Sequence, residues 1–172
     1  FTEGDNGLYY FVNEVDTFNL KVGGGITTLR IDPVSNAIEK VGSMNQGGGG
    51  PCHITLAAEK RHLITANYGS GSVSVVRLNR SGIPAMTTDV IWYGEKSRPH
   101  MTQYNPRLRQ YYITDLGLDR IHILRLDTTA GILLNADKPY IVLPEGSGPR
   151  HMVIDGKAAN LYVANERNST VT

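Results

Sequence analysis

Only one cysteine, Cys52, occurs in the 172 residues, so no disulfide can close within the chain. That favours a reducing compartment, and the cytoplasm is the expected location. Two glycosylation-type triplets, at Asn79 and Asn168, point the other way, towards secretion. Neither sign of charge is in excess: 17 basic residues face 16 acidic ones, for a net charge of +1. The usual electrostatic reason to expect nucleic acid or an anionic membrane is therefore missing. No apolar run approaches the roughly 20 residues of a membrane helix, and no segment keeps a helical period over a useful length. The glycine runs "VGGGI" and "QGGGGP" lack the Lys-Ser/Thr pair and the following helix of a phosphate loop. The chain opens at Phe1, not Met, which leads us to expect a processed or truncated start.

What the chain does have is a repeat. Residues 48 to 57 read "GGGPCHITLA", residues 97 to 106 "SRPHMTQYNP" and residues 146 to 155 "GSGPRHMVID". A histidine stands at the mouth of each: 47 residues separate His53 from His100, and 51 separate His100 from His151. Some 14 or 15 residues after each histidine an apolar run ends on a polar residue, Asn67, Asp115 and Asn165, with Asn13 as a fourth copy.

A period near 50 built from short Val-, Ile-, Tyr- and Thr-rich segments, bounded by Gly, Asn, Ser and Pro, is the pattern of a β-propeller. We expect an all-β chain of four-stranded antiparallel blades. The first blade spans about 1–47 and lacks its inner strand, the second about 48–96, and the third about 97–146. The fourth runs from about 147 and breaks off at 172. A two-sheet sandwich is the lesser alternative. About three and a half blades leave open edges, so completion by another chain or segment is expected.

The repeat also places a candidate site. The hairpin from His151 to Glu166 turns midway, so its two ends return to one rim. The same holds for His100 with Asp115 and for His53 with Asn67. The four strand-ending residues Asn13, Asn67, Asp115 and Asn165 suit a structural role, tying blade to blade or capping loops. Charged residues that break the pattern are better functional candidates. Arg150 aligns with Cys52 and Pro99 in the other copies, and Glu166 with Tyr68 and Leu116. Asn13-Glu14 matches Asn165-Glu166, which adds Glu14. Histidines on adjacent blades could bind a metal, but their spacing follows from the repeat, and we expect neither metal nor cofactor.

The segments "GGGGPCHITL", "TANYGSGSVSVVRL", "ITDLGLDRIHILRLD", "GSGPRHMVID" and "LYVANERNSTVT" resemble the lactonase family of seven-bladed propellers over essentially the whole chain. That family includes lactone-forming carboxymuconate cyclases and lactone-hydrolysing 6-phosphogluconolactonases. The resemblance implies a ring about twice this length. It implies catalytic roles for His100 in "RPHM", Arg150 in "GPRH" and Glu166 in "ANER". Substrate contacts are then expected from Arg98, His53, His151 and Glu14. Relatives often carry a histidine where this chain has Arg98, which bears on the substrate. The first expectation is cyclase-like addition of a carboxylate to a diene acid, with Arg150 holding carboxylates and His100 giving a proton near neutral pH without a large pKa shift. Hydrolysis of a sugar-phosphate lactone, or a propeller that only binds a ligand or protein, are the alternatives. The substrate in either enzymatic reading is a small anion.

Overall fold

The computed structural model describes residues 1–172, and every regular element in it is a strand. Two-residue periodicity explains why. In β8 (His62–Asn67) successive side chains leave on opposite faces, and all six are buried. Leu63 enters one hydrophobic cluster and Ile64 the next. Strands buried on both faces read as continuous apolar runs, and only stacked sheets can cover them.

The first sheet holds β1 (Thr2–Glu3), β2 (Leu8–Asn13), β5 (Gly25–Ile31) and β6 (Ile38–Asn45) in that order. A small hairpin, β3 (Thr17–Phe18) with β4 (Lys21–Val22), projects between its second and third strands. The second sheet is β7 (Pro51–Leu56), β8, β9 (Ser72–Leu78) and β10 (Pro84–Trp92). The third is β11 (Pro99–Asn105), β12 (Gln110–Asp115), β13 (Arg120–Asp127) and β14 (Ile132–Val142). The fourth has three strands, β15 (Pro149–Ile154), β16 (Leu161–Asn165) and β17 (Thr170–Val171). All pairings within these sheets are antiparallel.

The inner place of the first sheet, expected to be empty, is held by the two residues of β1, which pair as Thr2↔Tyr10 and Glu3↔Tyr9. So short a segment carries no periodicity, which is why the sequence does not announce it.

Three apolar clusters cement neighbouring sheets. Leu8, Tyr10 and Ile26 meet Ile54, Leu63 and Val76 between the first and second. Ile64, Val73 and Val75 meet Tyr111, Ile113 and Leu124 between the second and third. Tyr112, Ile121 and Ile123 meet Met152 and Val163 between the third and fourth. Truncating a fully buried member such as Leu63 to Ala should cost about 2–5 kcal/mol. The far face of the fourth sheet has no such partner: Val153, Tyr162 and Val171 are 56%, 49% and 72% exposed.

The inner hairpins share one design. Pro51 pairs with Asn67, Pro99 with Asp115 and Pro149 with Asn165. Immediately after each proline the register slips by one residue, a β-bulge that re-aims the residue it inserts. The inserted residues are Cys52, His100 and Arg150. This corrects the sequence alignment: His53 and His151 occupy the next rung, and their counterpart in the third sheet is Met101, not His100. Arg150 is accordingly the equivalent of His100 and Cys52, not of Pro99. Four residues past each strand-ending polar residue the chain turns with a left-handed residue, Gly71 (φ 64), Asp119 (φ 49) or Ser169 (φ 56).

Candidate active site

The three bulges and the ends of β8, β12 and β16 lie on one rim, because each inner hairpin brings its start and its finish together. A repeated backbone bond then fixes the residue after each strand end. Tyr68 N–H donates to Gly50 O at 2.9 Å, Leu116 N–H to Arg98 O at 3.0 Å and Glu166 N–H to Gly148 O at 2.8 Å. Glu166 is thereby held beside the strand that carries Arg150.

Arg150 is the centre of the arrangement. Its Nε lies 2.9 Å from Nε2 of His100 and 3.0 Å from Oε2 of Glu166. His100 Nε2 accepts from the guanidinium, so its proton sits on Nδ1, which is buried and has no partner. Burial, the Arg150 charge and His151 together push the His100 pKa down to about 4. His100 is thus neutral at physiological pH. This corrects the expectation of an unshifted histidine able to give up a proton near neutrality. The Arg150–Glu166 pair is about half exposed on both sides, so its value is positional and its worth to stability is no more than about 1 kcal/mol.

The other expected residues stand at graded distances. The His151 ring meets the His100 ring edge-on at 5.1 Å between centroids. His53 makes only long contacts, 3.4 Å from its Nδ1 to the Thr102 N–H and hydroxyl. Its pKa is driven down to about 4 by burial first, then by the chain's amino terminus, His151 and His100. Glu14 is near enough to help raise the Cys52 pKa, but forms no hydrogen bond with the Arg150 group. Arg98 is tied to its own loop, donating to Glu95 O at 2.7 Å and Ser97 O at 2.5 Å.

Two residues at the rim were not picked out from the sequence. Tyr68 presents its ring edge-on to His100 at 5.9 Å, and the Arg98 guanidinium lies 5.8 Å from its centroid. Tyr68 occupies the same repeat position as Glu166, so an aromatic there breaks the pattern as plainly as a carboxylate does. Cys52 holds the bulge of the second sheet, its thiol directed to the carbonyls of His100, Pro99 and Ala66 at 3.3, 3.6 and 3.7 Å.

The strand-ending residues behave as structure. Asn67 donates to Ser72 and Ser74 and accepts from Gln46, all buried. Asp115 accepts from Ser97, the Arg98 N–H, the Gly117 and Leu118 N–H groups, and His122. Burial works to raise its pKa, but the bonds from His122, Arg98 and Ser97 outweigh burial and hold it below the ordinary aspartate range.

The family model "Lactonase, 7-bladed beta-propeller" matches residues 2–172. A 6-phosphogluconolactonase of Enterobacter sp. (strain 638) is 36% identical over 123 residues, 72% of this chain and 36% of that protein. The Bacillus subtilis (strain 168) 6-phosphogluconolactonase is 25% identical over 178 residues, 99% of this chain and 48% of that protein. Among solved structures, one described as a putative 6-phosphogluconolactonase from Bacteroides fragilis superposes with a TM-score of 0.88 at 22% identity, over 99% of this chain and 51% of that one. The periplasmic gluconolactonase of Pseudomonas aeruginosa gives 0.83 at 23% identity, over 94% and 48%. At such identities these two show the fold alone. The chain spans about half or less of the length of the relatives it matches. It belongs to the lactonase family of seven-bladed β-propellers.

Proposed function

We propose that this chain supplies the channel mouth of a propeller that hydrolyses a small anionic lactone, of the 6-phosphogluconolactonase type. Arg150 carries the reading. Both of its short contacts use Nε, and its terminal N–H groups have no partner in the chain. A guanidinium braced from behind, with its planar fork free, suits a phosphate, a carboxylate or the oxyanion formed when water attacks a lactone carbonyl. Glu166, at 3.0 Å from Arg150, is the candidate base. It takes a proton from water as the oxygen bonds to the carbonyl carbon. The tetrahedral intermediate then collapses with cleavage of the ring C–O bond, and the departing alkoxide recovers the proton to give a hydroxy acid. His100 acts as a positioning residue, its neutral Nε2 orienting Arg150. His151, Tyr68 and Arg98 border the same mouth.

The relatives' names favour hydrolysis over the cyclization first expected. Cyclization also wants a proton donor near neutral pH, and His100 at about 4 is a poor one. The exposed apolar face of the fourth sheet is, in this reading, covered by further sheets of the ring, carried by another segment or chain.

The test is acid release from 6-phosphogluconolactone, run beside loss of diene absorbance from 3-carboxy-cis,cis-muconate. Lactone turnover is expected, with Arg150→Ala lowering kcat/KM by roughly 10- to 150-fold, the equivalent of about 1.5–3 kcal/mol for a charge-assisted contact. Turnover of the muconate alone, or an Arg150→Ala variant of full activity, would overturn the assignment.

A further inference from the structure

A concavity unrelated to the rim lies at the opposite end of the blades. The turns β1–β2, β7–β8 and β9–β10 converge there and enclose about 290 Å³ between the first and second sheets. That is at the small end of ligand-binding cavities. None of the residues discussed for the channel mouth lines it.

Three cations, Lys60, Arg61 and Arg80, line this cavity against a single carboxylate, Asp5. Lys60 is already paired with Asp5 at 2.6 Å, and neither Arg61 nor Arg80 forms an ion pair within the chain. A local excess of two positive charges in a chain of net charge +1 is an arrangement that an anion would relieve.

The frame around the charges is fixed. Leu78 N–H donates to Arg61 O at 2.8 Å, joining the two turns that carry the arginines. Asn79 Oδ1 accepts from the Ser81 and Ile83 N–H groups at 2.9 and 3.0 Å, which locks the turn bearing Arg80. Tyr10 Oη donates to Gly82 O at 2.7 Å and ties that turn to the first sheet. The three cations are exposed, and beneath them Leu8, Tyr10 and Leu78 are almost wholly buried in the core cluster, leaving Leu56 as the half-buried apolar surface of the cavity.

We propose that this cavity is a second binding site, for a small phosphate monoester whose organic part is apolar or aromatic. Arg61 and Arg80 hold the phosphate through charge-assisted hydrogen bonds, and the organic group packs on Leu56. The inference stands apart from the lactonase reading, since it shares no residue with the channel mouth.

Phenyl phosphate is the probe, titrated calorimetrically into the protein, with phenol and inorganic phosphate as partial ligands. Saturable binding is expected for phenyl phosphate and should weaken as salt is raised, with each partial ligand bound less tightly. Titrated in the Arg150→Ala background, so that phosphate held at the channel mouth does not contribute, Arg61→Ala and Arg80→Ala should each weaken it by about tenfold or more. Ser81→Tyr, which fills the cavity from an exposed turn, serves if an arginine variant fails to fold. Absence of saturable binding to the folded protein, or binding that survives both arginine changes and the filled cavity, refutes the site. So does binding lost on Arg150→Ala, which would place the phosphate at the channel mouth instead.

Discussion

Asp115→Ala should be the most damaging single change near the rim that leaves the candidate chemistry groups in place. The Asp115 carboxylate is fully buried and accepts five hydrogen bonds: from Ser97 Oγ at 2.5 Å, Arg98 N at 2.8 Å, Gly117 and Leu118 N at 3.1 Å each, and His122 Nε2 at 3.0 Å. A hydrogen bond to a charged group is worth about 1.5–3 kcal/mol net, but five on one carboxylate do not add. Removing the acceptor strands several buried donors, so a total of about 3–5 kcal/mol is expected. With a urea m-value near 2 kcal/mol per molar, the midpoint should fall by roughly 1.5–2.5 M. Asp115→Asn should cost less, about 1–2 kcal/mol, because it keeps Oδ1 for the three backbone N–H groups. The native pKa of Asp115 is depressed, so its ionisation stabilises the fold above the unfolded aspartate value near 3.9 and that contribution is lost as pH falls through the native value. The gap between wild type and Asp115→Asn should therefore close below about pH 4. Equal urea midpoints for the Ala and Asn variants, or an Ala variant within 1 kcal/mol of wild type, would refute the reasoning.

Three further outcomes are expected. His53 and His100, both held to about 4 in the native state, bind fewer protons there than in the unfolded chain, so stability should decline as pH drops from about 6.5 towards 4. His100→Gln should make that decline shallower in urea melts, and an unchanged slope would count against the neutral imidazole. Cys52, raised to about 12 chiefly by burial, should react with an aromatic disulfide reagent at pH 8 only as the protein unfolds, and rapid native labelling would contradict this. Gly117→Ala would set a methyl 1.9 Å from Lys96 O, a backbone atom, and should cost about 1–3 kcal/mol, whereas Gly156→Ala has open space and should be neutral within about 0.5 kcal/mol by thermal melting.

Much of the fold could be read from the sequence because its physics is local. β8, β9 and β12 are β-rich runs ended by turn residues, and the repeat fixes which run is which. β1, the β3–β4 hairpin and the first part of β14 escaped because they carry no sustained strand pattern. β1 is two residues long, and the β14 pattern is broken in the middle: Leu133 and Ala136 are buried three residues apart, and the pairing with β13 skips from Asn135 to Tyr140, so no two-residue alternation runs the length of the strand. The candidate site was legible as a set of residues: His100, Arg150 and Glu166 are in contact. Their protonation was not legible, since the His100 pKa depends on burial and on the Arg150 charge.

The misalignment of His100 has a physical cause with a consequence for the site. All three units carry the bulge, but the third has its histidine on the bulge and the other two have theirs on the following rung, so a pattern matched on histidine slips by one in the third unit. The correct anchor is the proline: Pro51, Pro99 and Pro149 each stand 16 residues before Asn67, Asp115 and Asn165. The 15-residue gap from His100 to Asp115, against 14 in the other two units, is the trace of that slip. Because bulged residues make no ladder pair, they can change identity without disturbing the sheet. Cys, His and Arg share one backbone position in three successive blades. The rung that follows keeps its ladder pair in every copy. Variation at this rim position is thus uncoupled from sheet pairing, which lets a repeat of similar blades place a different side chain at the same backbone position in each copy.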